Sequence, residues 1–94
     1  MDELRNVSNE LTIDFNKIEA SKYSKITKHV VKQFKLQANN EVVRGLNETF
    51  QEFRTGNAII SLEWDNWSGY IVNAKNIEAE PLVKEIAVFI NENY

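Results

Sequence analysis

From Ala58 to Ala74 the chain reads AIISLEWDNWSGYIVNA, two apolar stretches around a polar turn. In an extended chain Ala58, Ile60, Leu62 and Trp64 share one side, and Ile59, Ser61 and Glu63 the other. Tyr70, Val72 and Ala74 likewise alternate with Ile71 and Asn73. This period of two predicts strands over 58–64 and 69–74, with the turn residues Asp65, Asn66, Ser68 and Gly69 closing a hairpin. The segment 48–54 is ambiguous, because Val43, Leu46, Phe50 and Phe53 also have helical spacing. Gly45, β-branched neighbours and the Thr55-Gly56-Asn57 punctuation favour a strand, which completes an antiparallel meander. Leu11, Ile13 and Phe15 alternate with polar residues over 10–15 and predict a further strand. Residues 1–9 are polar and read as flexible, and 39–47 as a connection.

Two helices flank this meander. Tyr23, Ile26, Val30 and Phe34 make one stripe at three- and four-residue steps, predicting a helix over 21–34 with Ser21 as its N-cap. Pro81 suits a first helical position, and Leu82, Val83, Ile86, Ala87, Phe89 and Ile90 give a broad apolar face over 81–92. The resulting fold class is α+β, a two-layer sandwich of an antiparallel sheet against two helices. With 94 residues the chain forms one domain, 1–94, long enough to fold without staples.

Charge sharpens the picture. The net charge is −3, but residues 17–35 carry six lysines against Glu19 alone, while nine acids face four bases in residues 36–94. Such segregation suits electrostatic steering toward a partner. Cysteine is absent, which removes disulfides and thiol chemistry and points to a cytoplasmic protein. No apolar run is long enough for a membrane span, so no membrane partner is expected.

Chemistry is sparse. The single histidine, His29, has no orienting partner or nucleophile in view. With no cysteine and no calcium-loop spacing around Asp65 and Asn66, no metal site is expected. Gly45, Gly56 and Gly69 are too scattered to cradle a phosphate. We therefore expect no catalytic residues, no cofactor and no enzymatic activity. The helix–three strands–helix order is similar to the double-stranded-RNA-binding fold, and a lysine-rich first helix gives a nucleic-acid-binding alternative. However, Glu78, Ala79, Glu80 and Pro81 stand where that module needs a basic cluster. Nucleic acid is accordingly the second choice of partner.

The turn itself carries the first choice. Trp64 continues the Ile60/Leu62 face into the core, whereas Trp67 has both a core and an exposed reading. Trp67, Asp65, Asn66 and Tyr70, with Glu63 and Glu52, form the expected partner-binding set, since aromatic groups anchor interfaces and acids steer basic partners. In size, acidity and layered α+β pattern the chain resembles small bacterial toxin-immunity proteins. That resemblance implies a basic toxin or nuclease domain as partner, inhibited by occlusion. Edge strands or an aromatic patch also allow a homodimer.

Overall fold

The computed structural model describes residues 1–94. Seven strands form one antiparallel sheet: β1 (Asp2–Arg5), β2 (Leu11–Phe15), β3 (Gln37–Ala38), β4 (Val43–Arg44), β5 (Glu48–Thr55), β6 (Ala58–Asp65) and β7 (Gly69–Ala74). Their order is β1-β2-β7-β6-β5-β3, with β4 also pairing β5. Helices α1 (Tyr23–Phe34) and α2 (Glu80–Asn93) cover one face. The α+β two-layer architecture is thus the one the periodicity predicts.

The meander supplies the centre. Thr55 opposes Ala58 across the two-residue loop Gly56–Asn57, and Gly56 takes φ +55, a hairpin-turn conformation that favours glycine. Asp65 opposes Gly69 across Asn66–Trp67–Ser68. The Asp65 carboxylate accepts the backbone N–H of Trp67 at 2.9 Å and that of Ser68, so the turn is fixed by its own side chain. Gly69 has φ +70, and a Cβ there would lie 2.2 Å from the Phe15 carbonyl oxygen. This glycine lets the turn abut the end of β2.

Pairing register decides which face is buried. Leu11, Ile13 and Phe15 of β2, Tyr70, Val72 and Ala74 of β7, and Ile60 and Leu62 of β6 all face the helices. They meet Tyr23, Ile26 and Val30 of α1, and Val83, Ile86, Ala87 and Ile90 of α2. Trp64 joins this layer half-buried, its indole Nε1–H donating to the Ile18 carbonyl at 2.8 Å. Two phenols are sealed inside: Tyr23 donates to the Leu62 carbonyl at 2.6 Å, and the Tyr70 and Thr27 hydroxyls share a 2.7 Å hydrogen bond.

Three local expectations are corrected. Residues 2–5, expected within a flexible tail, form β1 against β2, and Arg5 makes a two-pronged ion pair with Glu80 of α2. Ser21 caps nothing: a 3-10 turn, Ala20–Lys22, precedes α1, and backbone carbonyls of Glu19 and Ala20 take the N–H groups of Lys22 and Tyr23. The 39–47 connection contributes β4, and β3 lies just before it.

Candidate functional site

The helices leave the other sheet face uncovered, and the register reads it out row by row. Asp2 opposes Asp14, Asp14 opposes Ile71, Ile71 opposes Glu63, Glu63 opposes Phe50, and Phe50 opposes Val43. One row along, Leu4, Thr12, Asn73, Ser61 and Glu52 follow in the same manner. A third row places Glu48 against Asp65 beside Gly69. Carboxylates thus stand next to carboxylates at Asp2/Asp14 and at Glu48/Asp65, an arrangement that destabilises an antiparallel pair. The chain's own cations leave these acids unneutralised. Arg5 turns to Glu80 at the helix side, Lys75 pairs with Glu10 at 3.5 Å, and Arg54 lies opposite Ile59 at the far end of its strand.

The electrostatic consequence is visible at Asp14. Its half-buried carboxyl is pushed above the usual aspartate value, first by desolvation, then by the charges of Asp65 and Asp2. Glu10 moves the other way, held below the usual range chiefly by a hydrogen bond from Asn6, with Lys75 assisting. Beside Asp14 lies a depression of about 260 Å³, lined among others by Leu4, Arg5, Asp14, Glu63, Ile71 and Asn73, with the Arg5 guanidinium itself engaged by Glu80.

The expected site residues separate clearly. Trp67 is 81% exposed at the tip of the β6–β7 turn, and Asn66 beside it is exposed too. Asp65, Glu63 and Glu52 lie on the open face that this turn borders. Tyr70 does not belong with them. It is fully buried on the helix side, so its hydroxyl reaches Thr27 and its ring Tyr23, and no partner can touch it. The alternation explains the error: Tyr70 shares a side with Val72 and Ala74, not with Ile71. Asp2, Asp14 and Glu48 complete the acidic face but lie far from the tryptophan turn in sequence, and only strand pairing reveals them.

Compared with known proteins, the chain matches no family model, no curated protein and no solved structure.

The remaining chemistry is structural. His29 shares a 2.8 Å hydrogen bond with the Tyr94 hydroxyl and packs edge-on to Phe89 at 4.7 Å. No group of three or more histidine, aspartate or glutamate side chains converges to hold a metal ion. The α1 lysines project from the helix layer without ion pairs, and Lys17, Lys22 and Lys25 border a cleft of about 370 Å³ beside Tyr94. The α1 lysines thus stand on the side of the sandwich opposite Asp14, Glu63 and Glu52. No helix is long and apolar enough to cross a membrane.

Proposed function

We propose that this is a non-enzymatic protein-binding protein of the immunity or inhibitor type, acting in the bacterial cytoplasm. It occludes a basic partner, such as a toxin or nuclease domain, with its open sheet face. One observation carries this reading: acids sit opposite acids across the uncovered face, with no cation of the chain to relieve them. Surfaces shaped for stability alone avoid such pairs, whereas a partner's cations turn them to advantage. Trp67 stands beside the acids with most of its indole in solvent, the residue type that anchors interfaces. The acids raise the encounter rate, and the indole and the apolar centre of the face slow dissociation.

A thermal-shift screen against basic toxin and nuclease domains tests the proposal. Binding raises the melting temperature by mass action and weakens as salt is added. The double variant Asp65→Lys, Trp67→Ala is expected to abolish the shift. Retention of full binding by that variant would remove this face as the site. Salt-sensitive capture of duplex RNA or DNA through the lysine side, with no response to basic proteins, would replace the reading with the nucleic-acid one.

A further inference from the structure

We infer that the depression between Asp14 and Glu63 is a receptor for a single guanidinium group, an arginine side chain of the basic partner. The inference rests on the function proposed above and specifies its central contact. Asp14 and Glu63 flank Ile71 in one cross-strand row, on the strands to either side of it. With strands spaced about 4.8 Å apart, the two backbones are about 10 Å from each other. A flat cation can therefore lie on the Ile71 side chain with a carboxylate on each side. The volume of about 260 Å³ is below the roughly 300 Å³ at which small-molecule pockets begin, and suits one inserted side chain.

Asn73 supplies the independent sign of a missing partner. It is only 5% exposed and lines this depression. Its Nδ2 reaches Glu63 and Glu10 at 3.5 Å each, the outer limit of hydrogen bonding, and its Oδ1 is buried with no donor at all. Buried polar atoms are rarely left so, because such a group gives up its hydration and gains no hydrogen bond in exchange. When a cation takes over Glu63, the amide can rotate and offer Oδ1 to the same ligand. A guanidinium has the donors to engage two carboxylates and an amide oxygen in one plane, which an ammonium lacks. A metal ion is a poorer fit, since no third ligating side chain joins the two acids. A second copy of the chain on this face would bring acid against acid.

The test is an amide-detected NMR titration of the intact protein with N-acetyl-arginine methylamide. Saturable shifts are expected at the Asn73 side-chain amide and at Ile71 and Glu63. The near-isosteric variants Asp14→Asn and Glu63→Gln should each weaken binding roughly tenfold, a loss typical of one charge pair. Asn73→Val should weaken it as well while melting no lower than the parent, which a purely structural asparagine would not allow. Trp67→Ala should leave probe binding unchanged, although it weakens the whole partner. Non-saturating shifts, unchanged affinity in Asp14→Asn and Glu63→Gln, or equal response to the lysine analogue or to magnesium overturns the receptor. If the probe fails while a basic protein still binds in a Trp67-dependent way, the receptor falls and the docking face stands.

Discussion

Gly69→Ala is the sharpest perturbation of the hairpin that carries Trp67. Gly69 holds φ +70, which costs an L-residue roughly 1–2 kcal/mol. The added methyl would also lie 2.2 Å from the Phe15 carbonyl oxygen and 2.8 Å from the Asn16 Cα. Both are backbone atoms of the β2 end, so no side chain can swing away, and overpacking of this kind costs about 1–3 kcal/mol more. The total is roughly 2–5 kcal/mol, against about 5–14 kcal/mol for the whole stability of a chain this long. Gly56→Ala is the matched control. Its φ is +55, but nothing lies within 4 Å of the new methyl, so it pays the conformational cost alone, about 1–2 kcal/mol. Thermal melts followed by circular dichroism read the difference. For a domain of this size 1 kcal/mol moves the midpoint by about 4–8 °C, so even the lower bound for Gly69→Ala corresponds to roughly 8–16 °C. Equal melting of the two variants would refute the packing argument.

The buried phenols predict an alkaline limit. Burial pushes Tyr23 up to about 12 and Tyr70 higher still, so the fold favours their neutral forms; that contribution is complete below pH 10 and is lost as pH rises from 10 toward 12. Melts at stepped pH should fall across that window, by about 2 kcal/mol from Tyr23 after allowance for screening. Tyrosinate absorbance should show two of the three phenols ionising only on unfolding, and ordinary titration in the folded protein would contradict this. Trp64→Phe should cost about 1–2 kcal/mol by leaving the Ile18 carbonyl without its indole donor. Amide exchange at the start of α1 should accelerate with it, and an unaltered exchange pattern would show that the bond does not hold that turn.

Alternation alone carried β6, β7 and the helix stripes, because each has one face fully committed to the core. It also located Trp64 correctly. What it could not supply was pairing between distant strands. Nothing local in Asp2–Arg5 marks a strand, since all four residues are exposed; they pair because β2 presents an open edge. The start of α2 is similar. Pro81 and the acids announce it, but a 3-10 turn, Ile77–Ala79, leads into it and is capped by Asn76, whose Oδ1 accepts the N–H groups of Ala79 and Ile59 while its Nδ2 donates to the Asn57 carbonyl. A side chain that ties the β5–β6 turn to a helix start is legible only in three dimensions. The acidic face follows the same rule. Glu63, Asp65 and Glu52 could be named from the tryptophan neighbourhood, whereas Asp2, Asp14 and Glu48 required the register. Tyr70 was misplaced by proximity in sequence, although its own alternation assigned it to the core.

The charge arrangement distinguishes a working surface from a merely solvated one. On α1 the lysines point into water, where isolated cations cost little and high local dielectric screens them. On the open sheet face, strand spacing fixes neighbouring acids at short range, and the half-burial of Asp14 denies it full hydration. Two cross-strand acid pairs, a carboxyl raised first by burial and then by its neighbours, and an amide oxygen without a donor all fall on adjacent rows. Any one of them is a tolerable imperfection. Together they form a site that is electrostatically under-satisfied in the free chain, and each defect is relieved by the same kind of group, a donor carrying positive charge. Free-state cost and bound-state gain then have a common origin. A variant that neutralises Asp14 should accordingly stabilise the free protein while weakening the complex, a sign reversal that a simple solubility role for these acids does not produce.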